Sequence, residues 1–230
     1  RRVTPDALVR LAENQHARSM AFTYNEPTVF FELLYETAGL AQAVGLRVIL
    51  VSNGFMGGDF LLSLRSRVNA INVDLKSFSD DFYREYCGGR LQPVLDNLRA
   101  IRGMDWWLEV TTPVIPGCND STAELRDMAA FVHDELGPDT PWHLSAFHGA
   151  CRMAGHPSTP LPVLEKAWSI GREAGLHFVY IGNASSAVGG TTFCPTCGAP
   201  VIERRGWRTR RLGTAGQCPS CKATLPGVWK

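Results

Sequence analysis

The sequence has no long apolar run. Charged residues cut every hydrophobic stretch well short of the roughly 20 residues a bilayer-spanning helix requires. It has almost no excess of either charge: 23 Lys and Arg against 22 Asp and Glu leave +1. The chain's overall field therefore favours neither nucleic acid nor an anionic membrane surface. It opens on Arg1-Arg2-Val3-Thr4-Pro5, without a methionine and without the apolar core of a secretory leader. A processed, trimmed or partial gene product is expected. Seven cysteines, an odd number, do not make a disulfide framework, and four of them form two Cys-x-x-Cys pairs. That usage points to metal in a reducing compartment, hence to a cytoplasmic protein. No Cys-x-x-x-Cys-x-x-Cys spacing occurs anywhere.

What is present is a 45% hydrophobic chain of 230 residues, enough for one large α/β domain with a small appendage. Thr4-Pro5-Asp6 predicts a capped helix start, with Leu8 and Leu11 following on one face. Strand patterns follow at Met20–Tyr24, Val48–Val51, Ile71–Leu75, Leu108–Val114, His143–Phe147 and Phe178–Ile181. Helical patterns lie between them: Thr28–Val44 with a stripe ending on Val44, Pro93–Ile101, a Ser121/Glu124 capping box, and a helix opened by Thr159-Pro160. Strand and helix in alternation imply a parallel sheet with right-handed crossovers. Polar residues gather at the carboxyl ends of the strands, the ligand-binding edge of such sheets. Because the first element is a helix, one strand and its loop are expected upstream. From Ala184 the periodicity gives way to Gly, Thr, Cys, Pro and Arg, so residues 1–183 and 184–230 are read as two domains.

In the tail, Cys194, Cys197, Cys218 and Cys221 have the spacing of two knuckles that share one tetrahedral ion. Two disulfides or four free thiols are the bland alternative. A segment this short needs such a staple to fold, and zinc is preferred over a single iron. Between the knuckles, five arginines surround Trp207. They are read as a solvated hairpin rather than a phosphate grip, since the rest of the chain is not basic. Asn25-Glu26-Pro27 puts an amide and a carboxylate at a strand end, suited to an ammonium group or merely to a helix cap. Ser52-Asn53 repeats the arrangement, and Asp74 and Lys76 share a strand face, as ligand groups or as a rim salt bridge. Val114-Ile115-Pro116-Gly117 ends a strand with apolar surface and free backbone groups, an adenine slot or an ordinary strand end. His143 falls in the same layer of polar strand-end groups, and His148 and His156 are given no role. Cys87, Cys118 and Cys151 follow no ligand spacing and are read as incidental or buried thiols.

These strings together resemble a known family. Thr23-Tyr24-Asn25-Glu26-Pro27-Thr28, Ser52-Asn53-Gly54, Asn72-Val73-Asp74-Leu75-Lys76, Pro93-Val94-Leu95, Val114-Ile115-Pro116-Gly117 with Asn119-Asp120, Pro141-Trp142-His143, Tyr180-Ile181-Gly182-Asn183 and the two knuckles look like the radical S-adenosylmethionine (SAM) enzymes of the AmmeMemoRadiSam system. Those in turn resemble pyruvate formate-lyase-activating enzymes. The likeness runs from about Ala21 to the C-terminus. It implies a partial (β/α)6 TIM-like barrel, here lacking its first strand, with a C-terminal zinc-ribbon-like domain. It implies a 4Fe–4S cluster on a three-cysteine loop, SAM as cofactor, its reductive cleavage, and abstraction of a hydrogen atom from a protein or small molecule. It implies an electron donor such as a flavodoxin or ferredoxin.

On this resemblance Asn25 and Glu26 receive the SAM amino group. Ser52, Asn53, Asp74 and Lys76 line its methionine and ribose end, Val114 to Gly117 flank the adenine, and His143 reaches the ribose. No membrane or nucleic-acid partner is expected. The chain departs from the pattern in lacking the cluster loop, so it is expected to be inert as it stands. It also has Val51 where activating enzymes carry an aspartate, and Gly149 after His148 where proline is common. The competing reading is a non-catalytic scaffold that presents a zinc ribbon to RNA or protein.

Overall fold

The structure is a computed structural model that describes residues 3–206, 208–214 and 216–229. The elements alternate from the start: α1 (Pro5–Asn14), β1 (Ser19–Phe22), α2 (Phe31–Ala43), β2 (Arg47–Ser52), α3 (Gly58–Leu64), β3 (Ala70–Asp74), α4 (Asp80–Phe82), α5 (Leu91–Arg102), β4 (Trp107–Val114), α6 (Thr122–Phe131), β5 (Trp142–Ala146), α7 (Leu161–Glu173) and β6 (Val179–Gly182). Three short strands close the chain: β7 (Thr191–Phe193), β8 (Pro200–Arg205) and β9 (Arg208–Arg211). The first six strands form one sheet in sequence order, and the last three form a second. The expected α/β fold with a parallel sheet is therefore present. Among the described residues no helix is long and apolar enough to cross a membrane.

The chain divides into two compact units, Arg1–Asp74 with Gln92–Leu108, and Leu75–Leu91 with Glu109–Lys230. In the first, β1 pairs parallel with β2, and β2 with β3. Val48, Leu50, Ile71 and Val73 alternate onto one face and are sealed, together with Leu34, Leu64, Val94 and Leu98 from the helices. Thr4 caps α1 through its side chain, as its sequence implies. Val9 is the buried residue of α1, while Leu11 is 57% exposed. The predicted helix from Thr28 is interrupted. Pro27–Phe30 makes one 3-10 turn, Phe30 leaves helical geometry at φ −132° and ψ 42°, and α2 begins only at Phe31. Val44, the expected end of the stripe, lies outside the helix and is exposed.

In the second unit β4 pairs parallel with β5, and β5 with β6. Along β4 and β5 burial alternates residue by residue. One face carries Val110, Thr112, Val114, Trp142 and Leu144, all fully buried. The other carries half-exposed Glu109, Thr111, His143 and Ser145. Trp142 sets the packing distance of α7, because a Cβ on Gly171 would lie 3.0 Å from its ring. The Trp142 indole N–H is satisfied by Thr112 Oγ1 at 2.9 Å, and that hydroxyl donates to the Leu75 carbonyl at 2.8 Å. Ser121 caps α6, but the expected capping box is only half made. The Glu124 carboxylate turns instead to the Ser77 hydroxyl and the Phe78 N–H.

The small sheet belongs to the second unit. Its core joins Cys194, Val201, Ile202, Cys218 and Leu225 to Phe178, with Tyr180 and Trp229 packed against it. Trp207, between β8 and β9 in sequence, lies outside the described residues.

Candidate functional site

In the first unit the carboxyl ends of β1 and β2 meet at Glu26. Its side chain caps the turn after Pro27 by accepting from the Thr28 N–H. The same oxygen accepts the Ser52 hydroxyl at 2.8 Å, and the other accepts the Asn53 N–H at 2.8 Å. Ser52 is buried and also accepts from the Gly54 N–H at 3.1 Å, so its hydroxyl holds Glu26 in place. Asn53 Oδ1 accepts the Phe55 N–H at 2.8 Å, closing the turn.

Gly54 has φ +74°, and a Cβ there would stand 2.7 Å from Val73, so only glycine fits this bend. Asn97 fastens the loop from below, donating to the carbonyls of Gly54 and Met56 at 2.8 Å each. A carboxylate has about four lone-pair directions, so Glu26, with three donors, keeps room for one more. Asn25 is exposed beside it. Asp74 ends β3, half-buried.

In the second unit Asn119 organises the strand ends. It is wholly buried. Its amide donates to the carbonyls of Lys76 and Pro113 at 2.6 and 2.7 Å, and its oxygen accepts the Ile115 N–H at 2.6 Å. The Lys76 N–H donates to Tyr83 Oη at 3.1 Å. The free backbone groups expected after β4 are therefore largely taken. The Val114 carbonyl accepts Thr159 Oγ1, and the Gly117 N–H donates to Asp120. The Val114 side chain is fully buried on the helix side, so as a ligand contact it offers backbone only. His143 Nε2 lies 2.7 Å from Glu109 Oε2, and its ring stacks on Tyr180 with centroids 5.2 Å apart. Burial pushes the Tyr180 phenol up, opposed by the Thr192 hydroxyl and the Arg204 guanidinium.

Of the remaining cysteines, Cys87 and Cys151 are exposed and Cys118 is half-buried, so the buried alternative holds for none of them. Cys118 Sγ sits 3.7 Å from His156 Nδ1. In the tail, Cys194, Cys197, Cys218 and Cys221 place their sulfurs within 4.8 Å of one another. The Cys194–Cys221 and Cys197–Cys218 separations are 3.7 and 3.6 Å. A zinc tetrahedron with bonds of about 2.3 Å has sulfur edges of about 3.8 Å, whereas a disulfide brings sulfurs to about 2.05 Å. The two knuckles repeat one hydrogen-bond pattern. Each leading cysteine N–H donates to the carbonyl five residues on (Ala199, Ala223), and its carbonyl accepts from the N–H four residues on (Gly198, Lys222). N–H groups aimed at the sulfurs favour thiolate. The Cys221 N–H brings Cys218 down to about 6. For Cys194, burial works the other way and is outweighed by the N–H groups of Cys197 and Thr196. Cys221 also receives a backbone N–H, from Ala223, yet the neighbouring Cys197 sulfur and burial push it up to about 12. Four thiols this close cannot all ionise without a cation among them.

A family model described as the radical SAM superfamily matches residues 1–129. The chain belongs to the radical SAM superfamily. It is 36% identical over 222 residues to an uncharacterized protein of Methanocaldococcus jannaschii, covering 96% of this chain and 66% of the relative. It is 31% identical to the isethionate sulfite-lyase activating enzyme of Nitratidesulfovibrio vulgaris, over 58% of this chain and 46% of that enzyme. The chain thus spans two thirds or less of the length of these relatives. Among solved structures, a domain of pyruvate-formate lyase-activating enzyme from Bacteroides vulgatus superposes with a TM-score of 0.63 at 18% identity, covering 72% of this chain and 99% of that domain.

This radical SAM chain brings Glu26, Ser52 and Asn53 into one network and, separately, His143 onto Glu109 and Tyr180. Glu109, the partner of His143, is not among the candidates named from the sequence. The alternation Trp107-Leu108-Glu109-Val110-Thr111 carries the signal, because it sets a carboxylate on the polar face of a strand. A three-cysteine cluster loop has no counterpart here. Among the described residues the tail tetrad is the one group of three or more ligands able to share a metal.

Proposed function

We propose that this chain is the SAM-handling part of an activating-type radical SAM enzyme, which abstracts a hydrogen atom from a protein or small-molecule substrate. The observation that carries the reading is the held carboxylate of Glu26, clamped by Ser52 and the Asn53 N–H with one acceptor direction left over. A carboxylate fixed in this way suits the ammonium group of an amino acid, since the donors that orient it need no rearrangement when the ligand arrives. Asn25 and Asn53 stand beside it for the rest of that end. For Asp74, Lys76, the backbone at Val114 and His143, the family resemblance supplies the roles, at the methionine, ribose and adenine parts of SAM. The 4Fe–4S cluster that supplies the electron to SAM in this family has no ligands among these residues, and the electron donor is expected to be a flavodoxin- or ferredoxin-like protein.

We read residues 184–230 as a zinc-ribbon-like domain whose four thiolates hold one ion, zinc in preference to iron. The spacing, the sulfur separations and the duplicated knuckle support this reading. The functional test uses the full gene product containing this sequence, reconstituted with iron and sulfide without oxygen and given dithionite and SAM. It should release 5′-deoxyadenosine, and Glu26→Ala and His143→Ala should each lower that release at unchanged cluster content. Release at the parent rate in both variants would remove the residue assignments, and no release from the reconstituted parent would remove the function.

A further inference from the structure

The tail has a feature that metal binding does not use. β8 and β9 pair antiparallel, with Glu203 opposite Arg210 and Arg205 opposite Arg208. Like charges directly opposed weaken a strand pair. Glu203 does not relieve this pair, because its Oε2 already takes Nε and Nη2 of Arg210 at 3.1 and 2.8 Å. The side chains of Arg205 and Arg208 have no hydrogen bond or ion pair with any described residue. These side chains, with Thr209, line a cleft of about 310 Å³. On the opposite face Arg204 is occupied, donating to Thr192 Oγ1 at 2.9 Å with its guanidinium over the Tyr180 ring. β9 is the outermost strand of its sheet, and all four of its residues are exposed. A strand edge of this kind is a template for another strand, and its arginines discourage basic segments while attracting acidic ones.

We propose that the β8–β9 hairpin docks an extended acidic segment of a partner protein. The segment adds to the free edge of β9 as a fourth strand. Its side chains alternate between faces, so carboxylates at every second residue meet Arg208 and, across it, Arg205. Two uncompensated guanidiniums then gain partners, and the like-charge opposition is relieved. A nucleic acid matches the surface less well. Arg204 is engaged by Thr192 and Arg210 by Glu203, which leaves few cations in a row to follow a sugar–phosphate backbone, whereas an extended peptide can also pair with the edge of β9.

The test is fluorescence anisotropy on the full chain. The labelled probes are a short peptide alternating glutamate with valine, its glutamine counterpart, a counterpart with proline for valine, and a single-stranded oligonucleotide. The glutamate peptide should bind saturably and weaken with salt. The glutamine and proline peptides, which remove charge and strand pairing respectively, should each bind about tenfold more weakly or worse. Arg205→Gln with Arg208→Gln should bring the glutamate peptide down to the glutamine level. Glu203→Gln, which frees Arg210, should tighten it, and this gain requires a folded tail, which keeps the proposal testable should the double variant misfold. Equal binding of the glutamate and proline peptides, no effect of either variant, tighter binding of the oligonucleotide, or no saturable peptide binding would each overturn the proposal.

Discussion

Ser52 donates its hydroxyl to Oε1 of Glu26 across 2.8 Å, joining the buried end of β2 to the half-exposed turn after β1. The carboxylate is thereby aimed by a residue that itself lies in the core. Ser52→Ala should leave Glu26 present but loosely aimed. The expected result is an affinity for SAM about tenfold weaker, equivalent to one hydrogen bond of about 1.4 kcal/mol. Titration calorimetry on the cluster-loaded protein reads this directly. Glu26→Gln, which keeps the shape and removes the charge, should cost more.

The tail should carry one metal ion per chain, held by Cys194, Cys197, Cys218 and Cys221. Elemental analysis should find stoichiometric zinc, which is colourless, or iron, which is not. Cys194→Ser with Cys218→Ser should abolish it, whereas Cys87→Ser with Cys151→Ser should leave it unchanged. Removing the metal with a strong chelator should speed hydrogen exchange over 191–229 far more than over 31–52, because metal binding supplies most of the tail's folding energy.

Asn119→Ala strands the carbonyls of Lys76 and Pro113 and the N–H of Ile115 in a buried setting. Leaving buried polar groups unpaired costs about 1–3 kcal/mol each before relaxation. A destabilisation of about 3 kcal/mol is expected in urea denaturation, with the β4–α6 loop the first segment to lose protection.

Asp80 gives a pH signature. The Leu91 N–H, then Arg90 and Arg84, hold its carboxyl below the usual carboxylate range against the opposing effect of burial. A depressed folded pKa means stability that is present above the unfolded value and lost as pH falls through the folded one. Asp80→Asn should therefore lower the melting temperature at pH 7, and the deficit should close as the pH falls below about 4. A thermal-melt series from pH 7 to pH 3 checks both the sign and the window.

Most of the fold was legible because the strands alternate so regularly. The six main strands fall where pattern reading puts them, to within two residues or so. α3 escaped notice because Gly58–Leu64 is a single short amphipathic stretch opened by glycines. Val44 was misjudged because a helical stripe shows that a face exists, while tertiary packing chooses which edge of it is covered. At the site, residue types at strand ends were readable, but how their hydrogen bonds are used was not. The Ser52 hydroxyl turns inward to Glu26, Glu124 leaves its capping box for Ser77, and Thr159 and Asn119 take up backbone groups that the strand end alone leaves open. These partners lie up to 47 residues apart in sequence, beyond the reach of any local pattern.

Phe178 directly precedes β6, yet its ring lies in the same buried cluster as Cys194, Cys218 and Leu225. Tyr180, two residues on, shares the Thr192 hydroxyl with Arg204. The four-cysteine tail thus borrows a wall from the segment that precedes it. In evolutionary terms the tail is not freely exchangeable cargo. A lineage that shed it would uncover the rings of Phe178 and Tyr180 and would have to replace both with polar residues, so relatives without the knuckles are expected to carry hydrophilic side chains at these two positions.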